Sequence, residues 1–178
     1  MNLPTNWDRY FLNICDAVAT KSPCLSRNIG AVLVQDKRIV ATGFNGPPRG
    51  VPHCGTARNQ LDMELRNEFY KTADLTRISI DVDDQCPRRQ LGYSSGEGLH
   101  LCPATHAEAN CIANAAAVGT YVSGTTLYLN TVIPCRDCLK LLINAGVSRI
   151  YPIEPVLYDK WSRYIIQESD IEIVGYEG

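Results

Sequence analysis

The sequence predicts an α/β fold, a largely parallel sheet with helices on both faces. Three observations predict it. Helical and strand periodicities alternate through the C-terminal half, two β-rich runs follow a single amphipathic segment near the start, and Gly119, Gly124 and Gly146 punctuate the alternation. With 178 residues, 45% of them hydrophobic, the chain suits one domain over 1–178 with a core of its own.

Residues 6–20 set Trp7, Tyr10, Phe11, Ile14, Cys15 and Val18 at spacings of three and four, the period of an amphipathic helix, and Ser22-Pro23 bounds it. Residues 29–35 and 38–44 read as strands joined at Asp36-Lys37, a tight hairpin without the glycine such turns favour. Gly43-Phe44-Asn45-Gly46-Pro47-Pro48-Arg49-Gly50 then breaks the strand into a loop. From about 51 to 104 the chain is polar and rich in Gly, Pro and Arg, with one helix expected at 57–71. A structureless stretch of that length is abnormal in a compact domain, and the three cysteines and two histidines within it suggest an insertion clipped by metal. After it come helix 105–118, strand 125–131, helix 135–145, strand 148–153, helix 157–168 and strand 171–175.

Composition narrows the function. Seventeen Lys+Arg against nineteen Asp+Glu give a net charge of −2, so no basic excess steers the chain onto long nucleic acid. Apolar runs such as Ala31-Val32-Leu33-Val34 fall far short of the roughly 18 residues of a membrane span. The start, Met1 to Tyr10, has neither the basic opening nor the apolar stretch of an export signal, so a soluble cytoplasmic protein is expected. In that reducing setting eight cysteines point to metal ligation or chemistry rather than disulfides.

The strongest motif is His106-Ala107-Glu108 followed, 29 residues after the histidine, by Pro134-Cys135-Arg136-Asp137-Cys138. One imidazole and two thiolates make three zinc ligands and leave a fourth position for water, as catalytic zinc requires. Both halves sit where helices begin, and the positive end of a helix favours thiolate over thiol. Glu108, two residues past His106, is off the ligand face and suits a proton shuttle better than a ligand. Each part has a blander reading. Thr105 to Glu108 also spells a capping box, the cysteine pair could be a redox couple or half a structural zinc site, and a lone histidine is usually just packed. Their combination in this order is the signature of zinc nucleobase deaminases.

More specifically, the chain resembles the deoxycytidylate (dCMP) deaminase family over nearly its whole length. The resemblance rests on Ile29-Gly30-Ala31-Val32, Gly43-Phe44-Asn45-Gly46, Cys102 to Asn110, and Pro134 to Cys138, with Ile143 to Val147 and Tyr158-Asp159-Lys160 adding weaker support. It implies a three-layer cytidine-deaminase-like fold with a central mixed, mostly parallel five-stranded sheet. It also implies that His106, Cys135 and Cys138 bind the catalytic Zn2+, and that Glu108 shuttles protons as dCMP becomes dUMP and ammonia. Zinc lowers the pKa of bound water from 15.7 to roughly 7, so hydroxide can attack C4 of cytosine near neutrality.

The same resemblance makes Asn45 a ribose contact, with Phe44 standing where the family has tyrosine, Tyr158 a residue closing over substrate, and Ala107 a further substrate-binding residue. Some relatives carry a phosphate-binding arginine eleven residues after the zinc histidine, where this chain has Ala117, so Lys21, Ser22 and Arg27 become candidates. Cys15 and Cys111 fall within apolar helical patterns, which leaves Cys24, Cys54, Cys86 and Cys102 for a second, structural zinc, with His53 or His100 as substitutes. Relatives are commonly hexamers activated by dCTP and inhibited by dTTP with Mg2+ bridging the triphosphate, which nominates Gly46, Arg49, Gly50, Arg58 and Asn59 as an effector site. Two alternatives remain open: a zinc deaminase acting on free cytidine or on adenosine in transfer RNA, and a non-catalytic zinc-binding module, which would have no use for Glu108 beyond capping.

Overall fold

The computed structural model describes residues 6–72, 85–94 and 96–177. Residues 1–5, part of the export reading, and residues 73–84 of the insertion lie outside the described residues. The chain forms two compact units, one of 1–22, 29–45 and 106–178, the other of 23–28 and 46–105.

The first unit is the predicted α/β body. Its elements are α1 (Asn6–Ala19), β1 (Gly30–Gln35), β2 (Arg38–Phe44), α5 (Ala107–Ala117), β3 (Thr126–Ile133), α6 (Arg136–Asn144), β4 (Arg149–Leu157), α7 (Ser162–Gln167) and β5 (Glu172–Ile173). The five strands run in the order β2-β1-β3-β4-β5. β1 pairs antiparallel with β2 and β3, whereas β3, β4 and β5 are mutually parallel, so the sheet is mixed. The β1–β2 hairpin closes without glycine because Asp36 and Lys37 themselves take φ of 49° and 62°, the left-handed pair that matches strand twist.

Strand alternation builds three layers. Val32, Val34 and Tyr128 face α1 through Phe11, Leu12 and Cys15, while Ala31, Leu33, Leu127 and Leu129 face α5 and α6 through Ala107, Cys111, Leu139 and Leu142. Cys15 and Cys111 are fully buried core residues, as their positions in apolar patterns predict. Burial pushes the Cys15 thiol up to about 12.

Two glycines let the helices sit close. A Cβ on Gly30 would overlap the Cys15 carbonyl of α1, and one on Gly43 would run into the Ala107 carbonyl and lie 2.5 Å from Cys111 N of α5. Asn110 and Asn114 fasten α5 further, donating to the Phe44 and Thr42 carbonyls of the edge strand β2 at 2.7 and 2.8 Å.

The second unit contains α2 (Thr56–Leu61), α3 (Met63–Thr72), α4 (Pro87–Gln90) and a 3-10 turn at Leu99–Leu101. The single helix expected at 57–71 is broken at Asp62. That carboxylate caps Leu65 N at 3.0 Å and takes the Arg58 guanidinium at 2.9 Å, a local competition that interrupts the helical ladder. Among the described residues its apolar cluster is small: Leu65, Phe69 and Leu101, with Leu91 and Tyr93 against them.

Candidate active site

Two helix starts assemble the site. His106 is the residue before the first turn of α5, with an extended backbone at φ −68° and ψ 155°, and Cys135 holds the same position at α6 with φ −64° and ψ 161°. The capping box suggested by Thr105 to Glu108 does not form, because helical geometry begins one residue later than that pattern requires. Thr105 instead pairs its backbone with Gly46, at 2.8 and 3.1 Å. This frees the His106 ring to face α6.

His106 Nδ1 lies 3.5 Å from Cys135 Sγ and 3.4 Å from Cys138 Sγ, and the three atoms lie within 4.8 Å of one another. Zinc bonds of about 2.0 Å to nitrogen and 2.3 Å to sulfur at tetrahedral angles place N and S about 3.5 Å apart. The donor set therefore fits zinc in both chemistry and spacing, and three ligands leave the fourth position open.

The electrostatics suit that charge. A hydrogen bond from Cys138 holds Cys135 well below the ordinary thiol range against the opposing effect of burial, and His106 adds to the lowering. The proton that Cys138 keeps in this exchange raises its own pKa, helped by burial and by Glu108, while the Ala109 amide of α5 pulls the other way. A divalent cation removes the opposition between the two sulfurs, since both can then be thiolates.

Glu108 is 5% exposed on the first turn of α5. Burial pushes its carboxyl above the ordinary carboxylate range, opposed by its own backbone amide and by His106. A buried carboxyl with a raised pKa holds a proton more readily than an exposed one, which suits a group that accepts and returns protons. Ala107, fully buried, separates it from the ligand histidine.

Asn45 and Ser22 are brought together in the interior. Asn45 Oδ1 accepts from Ile29 N at 2.8 Å and from Ser22 Oγ at 2.7 Å, and Ser22 Oγ is also 2.7 Å from the Asn45 carbonyl. Tyr158 lies half-buried in the bend between β4 and α7, not at a helix start, because α7 begins only at Ser162. Arg27 is exposed, and belongs to the second unit.

Within that second unit Arg49 and Gly50 are exposed. Arg58 and Asn59 are buried. The Arg58 guanidinium is used internally: it donates to the Leu101 carbonyl at 2.6 Å, to Asp62 at 3.0 Å and to Cys54 Sγ at 3.3 Å. None of the eight cysteines is in a disulfide. Burial raises the Cys54 thiol, Arg58 lowers it, and Cys86 and Cys102 raise it further, so these three cysteines lie within electrostatic reach. Among the described residues, no other group of three or more ligating side chains, Cys24, Cys54, Cys86 and Cys102 included, gathers as closely as the His106 trio.

Asp159 is visible in the sequence only as part of the Tyr158-Asp159-Lys160 resemblance, with no role attached. Its carboxylate accepts from the Arg136 amide, next in the chain to Cys135, at 3.0 Å. An acidic residue three positions ahead of a helix was the available signal, but nothing local marks which distant amide it meets.

Residues 5–153 match the model of the cytidine and deoxycytidylate deaminase zinc-binding region. A deoxycytidylate deaminase of Mycobacterium phage D29 is 34% identical over 84% of this chain and 96% of its own length. The deoxycytidylate deaminase of Saccharomyces cerevisiae is 28% identical over 94% of this chain, which spans only 44% of the yeast protein. A crystal structure of a dCMP deaminase from cyanophage S-TIM5, in complex with dCMP and dUMP, superposes with a TM-score of 0.63. It covers 97% of this chain and 98% of that one, at 19% identity, and so shares the fold.

Proposed function

Because the chain belongs to the cytidine and deoxycytidylate deaminase zinc-binding family, we propose that it is a hydrolase that converts dCMP to dUMP and ammonia. The observation that carries this reading is the buried Glu108 carboxyl two residues beyond His106 in a three-donor site that suits zinc. A structural zinc site has no need of such an acid. The relatives named as deoxycytidylate deaminases in a phage and in yeast support dCMP over other cytosines, as does the fold shared with a structure holding dCMP and dUMP.

In this mechanism His106, Cys135 and Cys138 hold zinc, which supplies ionisation of water near neutral pH. Glu108 moves the protons. The attacking water gives up two: one passes through the Glu108 carboxylate to N3, where uracil keeps it, and one to the C4 amine, which leaves as ammonia. The Glu108 carboxyl is buried on the first turn of α5, two residues from His106. Asn45 positions the ribose, Tyr158 closes over the base, and exposed Arg27 and Lys21 supply the phosphate contacts that Ala117 cannot, since the Ser22 hydroxyl is already engaged by Asn45.

The finer features follow the same reading. Residues 1–178 form one cytoplasmic deaminase domain with an insertion at about 51–104. The second zinc is taken up by Cys24, Cys54, Cys86 and Cys102, supported by the nearness of Cys54 to Cys86 and Cys102. The chain works as a homohexamer feeding dUMP to thymidylate synthesis, activated by dCTP and inhibited by dTTP with Mg2+. Exposed Arg49 in the Gly46–Gly50 loop receives the triphosphate, since Arg58 is already engaged.

Separate incubation with dCMP, dCTP, deoxycytidine and cytidine, followed by loss of cytosine absorbance, tests the activity. Turnover of dCMP alone is expected, and turnover of cytidine alone would move the chain to the nucleoside deaminases. Saturation curves for dCMP should be sigmoidal, becoming hyperbolic with dCTP. Superimposable curves with and without each triphosphate would remove the regulation.

A further inference from the structure

We propose that Asp159 is a positioning residue: it holds the first turn of α6, and with it Cys135, at the spacing the metal needs, while fixing the turn that carries Tyr158. The inference rests on the reading of His106, Cys135 and Cys138 as a zinc site.

The need arises from helix geometry. A residue at the start of a helix can reach the second or third amide with its side chain, but not the first, so the amide of the first helical residue needs an acceptor from elsewhere. In α6 that amide belongs to Arg136, directly after Cys135. Asp159, 23 residues on, supplies the acceptor at 3.0 Å. Its two oxygens divide the work. Oδ1 takes the Trp161 and Ser162 amides at 2.9 and 3.1 Å, an Asx turn leading into α7, and Oδ2 takes the Arg136 amide together with the Ser162 hydroxyl at 3.2 Å. One carboxylate thus ties the metal-bearing helix start to the bend containing Tyr158. A carboxylate is the required group, because an amide side chain offers only one accepting oxygen.

That division makes the substitution informative. In Asp159→Asn the oxygen serves best on the Asx turn, where it keeps two amides, which leaves the side-chain NH2 facing the Arg136 amide, donor against donor. The turn survives and the α6 anchor is lost. Asp159→Ala loses both. Asp137→Asn is the control for charge: Asp137 lies on the same first turn of α6, is exposed, and pairs with the Lys140 and Arg136 side chains rather than with a backbone amide.

The measurement is zinc release from the loaded protein to excess chelator, without substrate, alongside dCMP kinetics at saturating zinc. Asp159→Asn is expected to release zinc about tenfold faster, in the range for groups that orient metal ligands. Its KM should stay within twofold of wild type, Asp137→Asn should match wild type in release, and Asp159→Ala should show fast release with a raised KM. Equal release from Asp159→Asn and wild type would overturn the proposal, as would equally fast release from Asp137→Asn. A wild-type protein that binds no zinc at His106, Cys135 and Cys138 would overturn the metal assignment itself and this inference with it.

Discussion

The two units keep their shapes by different means. In the first, β1 is buried on both faces, and the helices that start at His106 and Cys135 are seated on the sheet through Ala107, Cys111, Leu139 and Leu142. In the second, the described apolar cluster is Leu65, Phe69 and Leu101 with two partly buried neighbours, and a buried arginine links a carboxylate, a carbonyl and a thiol. A close-packed core fixes side-chain positions to fractions of an ångström, whereas among the described residues of the second unit the polar links of Arg58 stand beside a small apolar cluster. Perturbing the first unit should therefore register in chemistry, and perturbing the second in stability.

The largest effect expected is on the chemistry of the first unit. Glu108→Gln should keep zinc and thermal stability while turnover falls by about 10²- to 10⁴-fold, the range for a positioned proton donor and acceptor. Activity within a few-fold of wild type would remove Glu108 from the mechanism. Substituting His106, Cys135 or Cys138 should lose metal and turnover together. An active, zinc-free Cys135→Ser protein would contradict the ligand assignment.

Next comes the metal dependence of the second unit. Elemental analysis should find about two zincs per chain, falling to about one in a Cys54→Ser, Cys86→Ser double variant, with a lower unfolding midpoint, because the free energy of binding a structural metal is folding free energy. One zinc in the wild type would remove the second metal from the unit.

A smaller change returns to the first unit and asks whether packing sets the site. Gly43→Ala places a methyl group against the Ala107 carbonyl and 2.5 Å from Cys111 N, both backbone atoms that cannot rotate away. Either α5 moves or β2 does. Overpacking of this kind costs about 1–3 kcal/mol, and because α5 carries Glu108 directly after Ala107, turnover should fall more than the stability loss alone explains. The comparison is kcat at a temperature where the variant is fully folded. An unchanged kcat would show that the site tolerates movement of α5.

Much of this was legible in the sequence because it is local or periodic. The five strands, the long helices and the Asp36-Lys37 hairpin follow from patterns within single segments, and the trio of ligands follows from residue types whose spacing metal chemistry restricts. What was not legible depends on distant partners. The start of α5 shifts to Ala107 because Thr105 bonds to Gly46 rather than capping, and Asp62 splits the 57–71 helix by turning to Arg58 and Leu65. β4 runs on to Leu157 because Ile133 pairs with it across irregularities in register. The glycines of Gly30-Ala31-Val32 and Gly43-Phe44-Asn45 are recognisable as motif, but their reason, the close approach of α1 and α5, needs the packing.

The smallest effect sharpens the comparison most, because one local cost can be applied to both units. Helix α4 in the second unit and α5 in the first end in the same way. After each, the amides of the second and third residues beyond the helix turn back onto it, Gly92 to Arg89 and Tyr93 to Arg88 in one, Gly119 to Ala116 and Thr120 to Ala115 in the other. Gly92 and Gly119 have φ of 81° and 69°, and a Cβ on either would meet nothing within 4 Å. An alanine at either position therefore adds only left-handed backbone strain, about 1–2 kcal/mol. If the first unit unfolds as one cooperative body, Gly119→Ala should lower the global unfolding midpoint by a few degrees. If the small core of the second unit lets it open by itself, Gly92→Ala should speed amide exchange there by about tenfold, the equivalent of 1.4 kcal/mol, while sheet amides of β1 and β3 exchange at the wild-type rate. Turnover should hold within twofold in the Gly92 variant, whose unit contains none of His106, Glu108, Cys135 and Cys138. Equal midpoint losses with no selective exchange would show that the two units unfold as one, and that their different interiors do not translate into separate stabilities.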